Sequence, residues 1–201
     1  MSDQIIITIS RESGSAGHTI AGILAKKLNI RLLDKELVEE TVAYAGYSRE
    51  HMRKYDEKPV NYFTSRRIGA YTNSPEANVA EKVFEYIKSQ ADQGESFVLV
   101  GRCGHCVLKD NPNTVNVFIH GEYETKVSHL MEYHNLSREK AVKFMKNTDR
   151  KRKAYHNHYC DNKWADGRAF DLCINSSRVG LDGASEIVLK YLDEVNKLKQ
   201  K

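Results

Sequence analysis

IIITISRESGSAGHTIAGIL, residues 5–24, decides how the chain is read. Ile5 to Ile9 form a short apolar run, as a buried strand does. Ile20, Ile23, Leu24 and Leu28 then recur at helical spacing. Between them lie Gly14, Ser15, Ala16 and Gly17, small residues at a strand-to-helix turn. Such a turn can point successive backbone N–H groups at a phosphate, and the helix start adds its positive dipole end. The usual phosphate-loop pattern, G-x-x-x-x-G-K-[ST], is not met. With Thr19, Ile20 and Ala21 set on the helix start, Gly17 falls on the lysine and His18 on the magnesium-binding hydroxyl. Arg11 falls on the first glycine and Ala16 on the last. A small-residue first turn also serves simply to pack helix against strand, so the loop alone leaves both readings open.

The rest of the chain alternates strands with helices. A helix over roughly His18 to Leu28 leads to the short apolar piece RLLD and a second helix, KELVEETVAYA. Residues 47–73 are polar and aromatic with no steady period. SPEANVAEKVFEYIKSQADQG has a helix grammar, with Ser74 as cap, Pro75 in the first turn, one apolar face and Gly94 at the end. SFVLVG, VNVFI and FDLCIN read as further strands, the last holding Cys173 in a buried position. Between the last two lie the helical segments EYETKVSHLMEYH and SREKAVKFMKNTDRKRKAYHNHY. A final helix presents Ile187, Val188, Tyr191, Leu192, Val195 and Leu198 on one face. This alternation predicts a three-layer α/β/α domain spanning 1–201, with a five-stranded parallel sheet and the first-strand loop central. Ligands of such sheets bind beyond the carboxyl ends of the strands, where the first loop, Asp34 and GRCGHC all fall.

A length of 201 residues suits one domain, and 40% hydrophobic with 29% charged residues is ordinary for a globular protein. The formal charge of +4 is too small to argue for nucleic acid. No apolar run reaches membrane-spanning length, and the N-terminal run is too short for a signal peptide. The four cysteines are expected as reduced thiols in a cytoplasmic protein, and no membrane partner is expected.

ITISRESGSAGHTIAGILAKKLNIRLLDKELV resembles the opening of the cytidylate kinase-like family, relatives of the nucleoside monophosphate kinases. The match rests on Ser10, Arg11, Glu12, Gly14, Ser15, Gly17, Asp34, Glu36 and Leu37, with Ala16 for one family glycine. It continues through VLVGRCGHCVLKDNPNTVNVFI, TDRKRKAYHNHY, the W-A-D of residues 164–166 and FDLCINSS. The resemblance implies a P-loop nucleoside-kinase-like fold with an acceptor-side flap over about 47–73 and a helical lid over about 135–168. It implies a phosphotransferase that moves a phosphoryl group from ATP, with Mg2+, to a nucleoside monophosphate or similar small phosphorylated acceptor. The loop lysine is generally absent from this family, so another cation must replace it.

On that reading Ser13, Gly14, Ser15, Ala16, Gly17, His18 and Thr19 bind the donor phosphates, and Thr19 is a weak magnesium candidate. Arg11 is the first candidate for the missing charge, because it lies where the backbone turns toward the phosphates. Lys26 and Lys27, two turns along the helix, face solvent. Arg150 and Arg152, in the basic stretch of the lid helix, are the other catalytic candidates. Arg102 and Asp34 are acceptor-binding candidates; Asp34 can also cap the helix that follows. The family's G-R-D has become Gly101-Arg102-Cys103, which leaves cytosine recognition open. A homodimer fits the composition as well as a monomer.

Three alternatives stand beside this reading. One is a nucleotide- or phosphate-binding regulatory protein that kept the fold and little or no catalysis. Cys103 and Cys106 form C-x-x-C after a strand, the setting of a dithiol redox site. Cys160, His156 and His158 lie in one segment, but their spacing matches no common zinc finger.

Overall fold

The computed structural model describes residues 4–199 apart from 35–36, 38–39, 42–43, 45, 47, 61–64, 66 and 69–70. Its centre is a five-stranded parallel sheet. The strands are β1 (Ile6–Arg11), β2 (Arg31–Leu33), β5 (Phe97–Val100), β6 (Thr114–His120) and β7 (Leu172–Asn175). They lie in the order β2-β5-β1-β6-β7. β1 pairs with β5 through Ile6↔Phe97 to Ile9↔Val100, and with β6 through Ile6↔Thr114 to Arg11↔Ile119. It is therefore the middle strand, in keeping with the burial of Ile6 to Ser10.

Side chains alternate across the sheet and build a core on each face. Ile7 and Ile9 join Val98, Val100, Val117 and Ile119 on one face, under Ile20 and Leu24 of α1 (Gly17–Leu28) and Val188 and Leu192 of the C-terminal helix. Ile6, Phe97 and Leu99 face the other way, against Leu37, Met52, Val79, Val83 and Ile87. Thr8, on that second face, donates its hydroxyl to Asn116 Oδ1 at 2.7 Å, so the buried polar group is paired.

Residues 47–73, read as irregular, contain regular structure. Ser48 accepts from the His51 N–H and caps α2 (Arg49–Tyr55), and β3 (Arg67–Ile68) pairs antiparallel with β4 (Tyr71–Thr72). Seven residues are too few for an apolar period to show, and among the described side chains of α2 only Met52 is fully buried. Part of the KELVEETVAYA stretch lies outside the described residues; Leu37, Glu40, Thr41 and Tyr44 of it are helical. α3 (Pro75–Asp92) begins as expected, with Ser74 accepting from the Ala77 N–H. The short helix α4 (Gly104–Val107) follows β5 directly. α5 (Tyr123–His134) and α6 (Arg138–Tyr159) pack on one another. α7 (Ser176–Lys199) is interrupted at Gly180, where φ is 71°. Cys173 is exposed rather than buried, because β7 is an edge strand. No helix among the described residues is long and apolar enough to cross a membrane.

Candidate functional site

Moving from β1 to β2 takes the chain across one side of the sheet, and β6 and β7 then fill the other. The order reverses beside β1, which makes the carboxyl end of β1 the crevice where such sheets hold ligands. The loop there is tightly seated. Gly14 has φ 83°, and a Cβ on it would stand 2.5 Å from the Lys126 carbonyl oxygen of α5. Ser15 is buried under the loop, donating its hydroxyl to the Glu12 carbonyl, while its own carbonyl accepts from Ser176 Oγ. Ala16 takes a left-handed conformation, φ 58°, to start α1. No side chain caps that start, so its first N–H groups are left for an acceptor from outside the helix.

Gly17, on the position of the usual lysine, has no room for a side chain. A Cβ there would lie 2.6 Å from Arg11 Cβ. Arg11, on the position of the usual first glycine, fills that space instead. Its guanidinium lies against Gly101 and stands 3.6 Å from Glu57 Oε1. The cation has changed sides of the loop, and each of the two unusual residues requires the other.

β5 ends in three consecutive left-handed residues, Gly101, Arg102 and Cys103, with φ of 79°, 51° and 53°. Two of them carry side chains, a conformation disfavoured without support. The support is visible. The Arg102 N–H donates to Glu57 Oε1, its guanidinium donates to the Val100 carbonyl and at 2.8 Å to Asp56 Oδ2, and Asp34 Oδ1 stands 3.7 Å away. Arg102 is 4% exposed, and its Nε has no hydrogen-bond partner. Burial works against its charge, but Glu57, Asp56 and Asp34 outweigh that and raise its pKa. Burial likewise opposes the Glu57 charge, yet Arg11, Arg102 and Arg152 hold that carboxyl down at about 2. Asp56 is shifted up by burial against the pull of Arg102.

α6 completes the enclosure. The Ser13 N–H donates to Asp149 Oδ1 at 2.7 Å, and Arg152 Nη1 donates to the Arg11 carbonyl at 3.3 Å. Burial and then the neighbouring Arg11 charge lower Arg152 to about 10. Two cavities result. The larger, about 290 Å³, runs along Ser13, Gly14 and Ala16 to Thr19, with Asp34 at one end and Tyr133, His134 and Phe144 at its rim. The smaller, about 170 Å³, is lined by Gly101, Arg102, Cys103, Tyr155 and Trp164 among others. Arg11, Thr148 and Arg152 line both.

Among the residues singled out from sequence, the structure brings together Arg11, Arg152, Arg102, Asp34 and the loop. Arg150 is apart from them, exposed and bonded to Asn147, because two residues along a helix turn a side chain to another face. His18 is bound to Asp34 at 2.6 Å. Lys26 is exposed and Lys27 pairs with Glu186, both away from the loop. Asp56, Glu57 and Lys126, which pairs with Glu12 at 2.7 Å, escaped the sequence reading, and Asp149, placed in the lid stretch, was given no role. The Asp56–Glu57 doublet within a basic stretch was their available signal. The C-x-x-C does not form a pair. Cys103 lines the small cavity, with its thiol shifted up by burial, whereas Cys106 points the other way and is joined to Cys160.

Comparison with known proteins agrees with this geometry. Residues 6–178 match the model of the cytidylate kinase-like family. An uncharacterized protein from Eubacterium ventriosum, known from its crystal structure, is 36% identical. The match covers 94% of this chain and 99% of that one, with a TM-score of 0.76. Shikimate kinase from Bacteroides thetaiotaomicron is 14% identical, with 94% and 98% covered and a TM-score of 0.53. Shikimate kinase from Acinetobacter baumannii, solved with shikimate, is 12% identical, with 95% and 94% covered and a TM-score of 0.54. At these identities the two shikimate kinases establish the fold alone. No curated protein sequence matches the chain. The glycine and arginine that trade places around the loop thus sit in a kinase fold, and the chain belongs to the cytidylate kinase-like family.

Proposed function

We propose that the protein transfers a phosphoryl group from ATP to a small acceptor, a nucleoside monophosphate or a similar phosphorylated molecule. The observation that carries this is the pair of cavities sharing Arg11 and Arg152. Phosphoryl transfer is mostly positioning and charge stabilisation, so cations lying between a donor and an acceptor cleft are where they act most strongly. The donor phosphates bind the uncapped start of α1 through the N–H groups of residues 14–19. The exposed ring of Tyr133, with Phe144, offers a stacking surface for the base. Arg102 and the mouth residue Lys151 receive the acceptor's anionic group.

The uncapped helix start suits a triphosphate. The donor set for magnesium is sparser, since Glu12 and Asp34 are engaged by Lys126 and His18. Thr19 and the phosphates themselves would hold it, and the ion would supply charge neutralisation there. The acceptor cavity, about 170 Å³, is smaller than the donor cavity, about 290 Å³, and favours a compact acceptor.

Incubating the protein with ATP, Mg2+ and a panel of nucleoside monophosphates and small phosphorylated acceptors tests the reading. Transfer to one of them is expected, and Arg152→Ala should slow it by about 10³-fold or more. A second reading is favoured by the carboxylates already pairing Arg11 and Arg102. In it the chain binds nucleotide as a regulator. Saturable ATP binding with no transfer to any acceptor would decide for that second reading.

A further inference from the structure

Beside the small cavity four side chains converge, of which only His156 also lines that cavity. His105 and Cys106 come from α4, His156 from the last turn of α6, and Cys160 from its C-terminal cap. One ligand atom from each lies within 4.8 Å of every other. His105 Nε2 faces His156 Nε2 at 3.1 Å, with the rings stacked, and Cys106 Sγ is 3.2 Å from His105 Nε2. Cys106 and Cys160 are joined through their sulfurs.

The His156 tautomer gives one inward lone pair. His156 Nδ1 lies 3.2 Å from Asn157 Oδ1. An amide oxygen only accepts, so that ring proton sits on Nδ1 and Nε2 presents a lone pair to the cluster. His105 Nε2 faces that lone pair at 3.1 Å and therefore carries its ring proton, while its Nδ1 is buried with no hydrogen-bond partner; binding an ion through Nε2 moves the proton to Nδ1. Two imidazoles and two thiols converging at a mostly buried point are the donor set and number of a tetrahedral zinc site. An ion with Zn–S of about 2.3 Å and Zn–N of about 2.0–2.1 Å spaces its ligand atoms about 3.3–3.8 Å apart. The ligand atoms lie within 4.8 Å of one another in the structure.

We propose that His105, Cys106, His156 and Cys160 form a zinc site when both cysteines are thiols. Zinc displaces the two thiol protons, with no change of redox state. The Cys106–Cys160 disulfide is the alternative oxidised state, reached when the two thiols pass two electrons and two protons to another disulfide, which leaves as two thiols. The ion would tie together the segments that carry the buried Arg102 and the half-buried Arg152, since His105 follows Arg102 by three residues and His156 follows Arg152 by one helical turn. Nothing in the spacing of Cys160, His156 and His158 suggests this set, because half of it lies some fifty residues earlier.

The test is metal titration of the whole chain after reduction with a phosphine and desalting. One Co2+ per chain should bind, with thiolate-to-metal charge transfer and the intense visible bands of a tetrahedral site, and zinc should displace it. Cys106→Ser and Cys160→Ser should each weaken binding by about 100-fold or more, while Cys173→Ser, on the exposed edge strand, should leave it unchanged. If the serine variants do not fold, the wild-type protein still decides. Zinc should protect two of the four thiols from alkylation. A reduced protein that shows no cobalt spectrum and no zinc protection of its thiols overturns the proposal.

Discussion

Arg11 and Gly17 face one another across the first loop with their expected roles exchanged. A kinase loop of the usual kind has glycine at the first position and lysine at the second, while this chain has arginine and glycine. A side chain on Gly17 would put its Cβ 2.6 Å from Arg11 Cβ, so the two positions cannot both carry one. Arg11→Ala should weaken ATP binding by a charged hydrogen bond, roughly 1.5–3 kcal/mol, read by calorimetry. Gly17→Lys alone should destabilise the protein and lower ATP affinity, because the new stem meets Arg11 before it can reach a phosphate. The double change Arg11→Gly with Gly17→Lys should recover affinity above that of Gly17→Lys alone, a non-additive result expected of residues sharing one space. Equal affinities for the double and the single variant would mean that Arg11 does not occupy the lysine's place. From sequence, Arg11 stands out as the candidate for the missing charge by alignment with the loop. The exclusion that makes Gly17 obligatory is a contact across the turn, which no spacing expresses.

At the scale of elements, the long helices and buried strands were legible because each repeats its apolar spacing several times, as α3 does through Val79, Val83 and Ile87. α2 and the β3–β4 pair were not, since segments of seven and two residues are too short to show a period. The cost of missing them is the site's acidic wall. Asp56 caps the C-terminal end of α2, and Glu57 follows in a left-handed turn with φ 51°; together they meet Arg102 and Arg11. Glu57 ionises at about 2 in the fold instead of 4.5. The native state therefore binds fewer protons than the unfolded chain between those values. Its stabilising share is complete above about pH 4.5, falls as pH drops through the window, and is lost below about 2. Asp56, shifted up, works in the opposite direction. The clean measurement is thus the difference between the wild type and Glu57→Gln in urea midpoint, which should shrink between about pH 5 and about pH 3. The same variant should bind inorganic phosphate more tightly, by up to about tenfold, because an anion no longer competes with a carboxylate for Arg11. A constant midpoint difference across the window would show that Glu57 contributes no charge pairing.

For the whole molecule, the parallel sheet follows from the alternation of strands and helices and the central place of β1 from the buried run at residues 5–9, and both are readable in the sequence. What alternation of strands and helices does not express is which distant segments meet at the strand ends. Arg102 and Arg152 are fifty residues apart, and His105 and His156 nearly the same. The architecture also makes unequal demands on its strands. Ile9 is fully buried, pairs with Val100 and Val117, and belongs to the core that α1 and α7 cover. It lies two residues before Arg11 but faces the core, not the loop. Ile9→Ala should therefore cost about 2–5 kcal/mol of stability by the cavity it leaves, seen as a lower urea midpoint at an unchanged slope. Cys173→Ser, on the exposed face of edge strand β7, should change stability by no more than about 0.5 kcal/mol. Under conditions where both variants are folded, ATP affinity should stay within about twofold of the wild type, a change of less than about 0.5 kcal/mol. A large affinity loss in Ile9→Ala without a stability loss would mean that β1 holds the loop by its own side chains rather than by its place in the sheet. The strand would then have to be assigned to the site as well as to the core.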